Sequence, residues 1–131
     1  MQSNFTEVFP VLACSDIAGE HDFLVRVFGL ASGGLERTPN GEVVHGEVRA
    51  GERRIWLHLT SETNSLSTPA KLGYAVGGIV VYVDDVDAHF KAARDAGANI
   101  THEPANQPYG QREYGARDPE GHYWWFATPL A

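Results

Sequence analysis

The hydrophobic positions of this chain change period in a fixed order, and that order occurs twice. "EVFPVLAC" (7–14) is a short apolar run of β-forming residues that ends at Ser15-Asp16, either of which suits a helix N-cap. Ile17, Phe23, Leu24, Val27 and Phe28 then recur at helical spacing, with acidic Glu20 and Asp22 in the early turns and Gly29 where a left-handed C-cap belongs. Three strand-like stretches follow, "LASGGLER", "EVVHGEVR" and "RRIWLHLT", separated by the turns "PNGE" and "RAGE". Residues 61–75, "SETNSLSTPAKLGYA", are rich in Ser, Thr and Asn without periodicity and predict a linker or mobile loop. Then the order returns. "GGIVVYVDD" predicts a strand, and "VDAHFKAARDAG" a helix with Val86, Phe90, Ala93 and Ala96 on its stripe. "ANITHEPANQ", "REYGARD" and "HYWWFAT" predict three more strands, with "DPEG" as a turn.

Two βαβββ units in tandem therefore make a single α+β domain, module one over about 5–60 and module two over about 76–129. Each unit covers one face of its sheet with a helix and leaves the other bare. Alternation assigns the side chains. Ile55, Leu57 and Leu59 face the helix and Arg54, Trp56 and His58 the open side; Ile79, Val81 and Val83 are inward and Gly78, Val80 and Tyr82 outward; Trp124 and Phe126 are inward and Tyr123 and Trp125 outward. Two such mixed sheets set edge to edge, with helices on the convex side, form a curved cup walled by aromatic residues, the ordinary shape of a small-molecule pocket.

Composition narrows the partners. A net charge of −7 argues against nucleic acid, which requires a basic stripe, and favours neutral or cationic ligands. The one cysteine, Cys14, has no internal disulfide partner and sits in an apolar strand as filler. No signal peptide and no membrane-length apolar run is visible, so a cytoplasmic protein without membrane contact is expected.

The plan resembles the vicinal-oxygen-chelate superfamily, which includes glyoxalases, extradiol dioxygenases, fosfomycin-resistance enzymes and bleomycin-resistance proteins. "PVLACSDIAGEHDFLVRVFGL" is similar to the family's opening strand and helix. "QPYGQREYGARDPEGHYWWFATP" is similar to the closing hairpin of the bleomycin-resistance-like branch. The resemblance implies four metal-ligand positions, one on each of four strands. Here they carry Pro10, His58, Gly78 and Trp125, and only His58 has a donor for an ion that needs at least three protein ligands. No metal and no cofactor are expected.

The expected ligand-contacting residues are Trp56, His58, Tyr82, Glu113 and Trp125, with Arg54, Tyr109 and Tyr123 nearer the rim; aromatic surfaces suit stacking on planar or cationic groups. Arg112 and Glu113 face opposite sides of their strand, and the family's parity counted back from "DPEG" implies that Glu113 is the outward one, where it would pair with a cationic ligand or with Arg54. His21, His89 and His122 are expected at the surface, whereas His45 and His102 lie on strands and stay ambiguous. Asp118 and its neighbours are expected to form a structural turn. The preferred reading is a metal-free binding protein that sequesters an aromatic or cationic small molecule as a homodimer, rather than an enzyme. The alternatives are a lyase or dioxygenase with a divalent metal at a non-standard site including His58, and a metal-free enzyme using Glu113 or His58 as general base.

Overall fold

Two aspartates start the two long helices, and much of the architecture follows from them. The computed structural model describes residues 4–131. Asp16 accepts from the Gly19 amide at 3.0 Å and begins α1 (Ile17–Arg26), and Asp85 accepts from the Ala88 amide at 3.1 Å and begins α3 (Val86–Asp95). Module one is β1 (Val11–Cys14), α1, β2 (Ala31–Arg37), β3 (Val43–Ala50) and β4 (Arg53–Leu59). Module two is β5 (Gly78–Tyr82), α3, β6 (Asn99–Asn106), β7 (Gln111–Arg117) and β8 (Tyr123–Pro129). The strand orders, β1-β4-β3-β2 and β5-β8-β7-β6, are the same permutation, with one parallel pair in each sheet (β1 with β4, β5 with β8). The expected α+β plan of two mixed four-stranded sheets is present.

Two local features differ from the pattern read off the chain. β1 begins only at Val11, because Pro10 has no amide to donate; its carbonyl still accepts from Trp56 N at 3.0 Å. Inside the connection, Ser61 and Leu66 form a β-bridge, and Thr68 caps a one-turn helix α2 (Pro69–Leu72). This turn docks on module two through Ala70 N and Glu120 O at 2.9 Å, and Gly121 must lack a side chain there, since a Cβ would lie 2.6 Å from the Ala70 nitrogen.

Both helix-bearing faces contribute to one core. α1 packs on β3 and β4, while Phe28, just past its end, meets Trp124 and Phe126 of β8 at ring separations of 5.5 and 4.9 Å. His89 of α3 reaches the Phe28 carbonyl at 2.8 Å, and His122 reaches the Ala13 carbonyl at 2.7 Å. The expectation of surface positions for His89 and His122 is thus corrected: both are partly buried and tie the modules together. His21 does lie outside, against Ser32. The Glu120 carboxylate accepts from Ser15 Oγ (2.7 Å) and Asp16 N (2.8 Å), so the "DPEG" turn of module two caps the strand–helix joint of module one. Asp118 holds this turn, accepting from Glu120 N, His122 N and the Trp124 indole at 2.8–3.1 Å.

The seam also holds an unpaid polar group. Glu20 of α1 is 1% exposed, and among the described residues neither of its carboxyl oxygens finds a well-formed hydrogen bond, although the Asp118 side chain and the Glu120 backbone lie beside it. Burial, then the neighbouring Asp118 and Glu120, push its carboxyl well above the ordinary value of 4.5, so it is held protonated. Among the described residues no helix is long and apolar enough to cross a membrane.

Candidate functional site on two outward faces

Because the helix-bearing faces share a core, the bare faces turn away from it. The expected ligand residues are divided between them. A single chain does not join them.

The outward face of module one is built on β3 and β4, whose register places His45 opposite His58 and Glu47 opposite Trp56. The Trp56 indole donates to Glu47 Oε1 at 3.0 Å, and this bond, followed by Arg49, holds the Glu47 carboxyl below its usual range. Phe9 packs edge-on to Trp56 at 4.7 Å. His45 lies 5.0 Å from both Trp56 and His58, and Trp56 stacks on His58 at 5.9 Å. Desolvation, then His45, lowers the His58 pKa, so its imidazole is neutral near pH 7. Arg54 does not approach Glu113; it pairs with Glu7 and covers the Phe9 ring at 4.9 Å.

The outward face of module two carries a hydrogen-bonded carboxylate and an aromatic stack. Glu113 is 4% exposed; its Oε1 accepts from Tyr109 and from Gln111 Nε2 (3.0 Å), and its Oε2 lies 3.6 Å from His102 Nε2. Tyr82 extends the chain by donating to Gln111 Oε1 at 2.9 Å. The hydrogen bond to Glu113 raises the exposed Tyr109 phenol. Gly115 is a necessary gap beneath this network, since a Cβ would lie 2.6 Å from Thr101 Oγ1 and 2.7 Å from His102 Nε2. Beside it, Arg117 covers Tyr123 at 5.0 Å, Tyr123 stacks on Trp125 at 4.3 Å, and the Trp125 ring lies over Gly78, where a Cβ would stand 2.5 Å from it. Arg112 faces the other way, to Asp87 of α3, as the parity required.

These details test the four metal positions. Pro10 and Gly78 offer no donor, and the Trp125 indole fills the volume that a side chain at position 78 would occupy. The residues do not fit the ion.

The family model for the "Glyoxalase/Bleomycin resistance protein/Dioxygenase superfamily" matches residues 8–126. The chain belongs to this superfamily. Among solved structures it is similar to TioX from Micromonospora sp. ML1, at 33% identity and a TM-score of 0.73, covering 96% of this chain and 100% of that one. A superfamily member from Sphaerobacter thermophilus DSM 20745 is 24% identical with a TM-score of 0.72, covering 95% and 98% of the two chains, and shares the fold. The uncharacterized protein Rv0887c of Mycobacterium tuberculosis is 32% identical over 124 residues, 92% of this chain and 73% of that protein.

Sequence reasoning missed Glu47, Gln111 and Phe9 as parts of the two faces, and left His45 and His102 open. A signal for the first existed: counting back from the Gly51 turn pairs His45 with His58 and Glu47 with Trp56. His102 had none as clear, because register shifts interrupt the β6–β7 pairing on either side of it.

Proposed function

We propose that this chain is a small-molecule-binding protein that works without the metal centre of its superfamily, and that its pocket is assembled between two copies. The observation that carries the reading is the Trp125 indole lying over Gly78: aromatic surface stands where a metal ligand would be. Among the described residues β1 and β5 are both edge strands with one neighbour each, and exposed edges of this kind invite pairing with another chain. Setting β1 of one copy beside β5 of a second joins the His45–Trp56–His58 face to the Glu113–Trp125 face as one concave wall, twice per dimer. A cleft of about 910 Å³ runs along these edges; Arg54 and Tyr82 reach it, but Trp56, His58, Glu113 and Trp125 do not. The second copy is what brings those residues together.

The ligand is aromatic or cationic. Tyr123 and Trp125 offer a stacking surface, and the buried Glu113 has no Lys or Arg partner among the described residues, only His102. The decisive experiment mixes two dead proteins. Trp56→Ala and Trp125→Ala homodimers each spoil both pockets, whereas a heterodimer of the two contains one intact pocket. Followed by fluorescence against a panel of planar and cationic compounds, co-refolded protein should regain one binding site per heterodimer. No recovery, or light scattering that gives 14.3 kDa at tens of micromolar, sinks the shared pocket. No response of the wild-type protein to any compound sinks the binding reading itself.

A further inference from the structure

The two oxygens of the Glu113 carboxylate are served unequally. Oε1 accepts from Tyr109 OH and from Gln111 Nε2 at 3.0 Å, while among the described residues Oε2 has only His102 Nε2, at 3.6 Å and beyond hydrogen-bond length. The two donors on Oε1 differ in how firmly they are held. Gln111 is buried and oriented by Tyr82, which donates to its Oε1 at 2.9 Å. Tyr109 is 67% exposed and stands on the tight turn that Gly110 N closes on the Gln107 carbonyl at 3.2 Å. Rotation about its side-chain bonds, fast for an exposed residue, takes the phenol off Glu113 without moving a strand. The aromatic neighbours leave a different vacancy. Arg117 already covers Tyr123 at 5.0 Å, whereas no cation lies over Trp125 among the described residues. Trp125 stands opposite Gly115 in the β7–β8 register, and Glu113 is two residues along β7 on the same face, roughly 7 Å away.

We propose that Glu113 seats a protonated amine carried on a planar aromatic frame, and that the Tyr109 phenol is the neutral donor this amine displaces. The inference rests on the binding function proposed above and narrows its ligand class. A quaternary ammonium suits an aromatic cage, but it has no N–H to give a carboxylate that is 4% exposed, and the cation place on Tyr123 is filled. A guanidinium fork needs both carboxylate oxygens, and Gln111 keeps one of them. An ammonium needs a single acceptor. Its charge-assisted bond is roughly twice as strong as the phenol bond it replaces, so the exchange is favourable. The ring then lies on Trp125 while the nitrogen reaches Glu113, and Tyr109 decides whether the acceptor is open.

Two probes separate the donor from the charge. The full chain is titrated calorimetrically near neutral pH with 1-naphthylmethylamine and with its N,N,N-trimethyl derivative, which keeps the ring and the charge and removes every N–H. The amine should bind at least roughly 10-fold more tightly, the effect of one hydrogen bond to a charged group. Glu113→Gln should abolish that difference. Tyr109→Phe deletes the competing donor, so it should tighten the amine a few-fold and leave the trimethyl compound unchanged, whereas a merely structural tyrosine would weaken both. Should Glu113→Gln fold poorly, the exposed Tyr109→Phe variant and the probe pair on wild-type protein still decide. An amine that binds no better than its trimethyl analogue, or fails to saturate at millimolar concentration, overturns the ammonium seat. A response to any other planar compound then leaves the binding function standing, and silence from the whole panel removes that function too.

Discussion

Glu20 in α1 and His89 in α3 occupy equivalent positions, each four residues after its capping aspartate, and both point into the seam between the modules. His89 is satisfied at both ring nitrogens: Nε2 donates to the Phe28 carbonyl, which leaves Nδ1 to accept from Tyr114 OH at 2.7 Å. Glu20 finds no such well-formed bond among the described residues and lies beside two more acids. One repeat thus spends its seam position on a bonded link, and the other leaves a buried acid that can stay only while protonated. The outward faces differ in the opposite sense. Module two presents a bonded carboxylate network, and module one presents two imidazoles that touch only rings and take part in no hydrogen bond among the described residues. Duplication preserved the backbone plan, and the chemistry lies in which of two equivalent positions remains unsatisfied.

The largest expected effect sharpens the division between seam and outward face. Trp124 is fully buried, bonded to Asp118 and packed on Phe28, so Trp124→Ala should cost about 3–5 kcal/mol in denaturant unfolding. Its neighbour Trp125 lies over Gly78 on the outward side, and Trp125→Ala should cost clearly less. A reversal would mean that the outward face is the core.

Glu20→Gln comes next, and it should stabilise. The folded carboxyl titrates above its unfolded value of 4.5, so its contribution is fully present below that pH and is lost as pH rises toward the folded value. The advantage of the glutamine variant should therefore grow from pH 5 to pH 8, by at most about 1.4 kcal/mol per pH unit. An equal gain at both pH values would show that Glu20 is ionised in the fold.

His89 should behave in mirror image and more weakly. Burial lowers its folded pKa, partly offset by the Phe28 carbonyl, so the stability it contributes is present above the unfolded value of 6.5 and is lost as pH falls through the folded one. His89→Gln should cost about 1–3 kcal/mol at pH 8, the typical penalty for breaking a buried bonded pair, and less at pH 5. A constant cost across that range would remove titration from the account.

The duplicated plan was legible because its signals are local: a capping aspartate, a switch of period, a glycine. Alternation likewise put Trp56, His58, Tyr123 and Trp125 on outward faces, and the family's parity added Glu113. The direction in which the modules pack was not legible, because it depends on the second face of α1. There Glu20 looks like a first-turn acid favoured by the helix dipole, and only its contact with Asp118 and Glu120, about a hundred residues away, makes it a seam residue. α2 escaped notice since its four residues are too few to carry a period.

Cys14 offers a way to time the molecule. It is 0% exposed at the end of β1, and burial, then the nearby carboxylates of Glu120, Asp118 and Asp16, push its thiol far above the ordinary value. A thiol reagent in water can reach it only after the seam parts, so its labelling rate is a clock for that opening. With fast reclosure the rate reports the free energy of opening, and at high reagent concentration it reports the opening rate itself. The chain carries its own stopwatch at the joint between its halves, and no engineered probe is needed to read it.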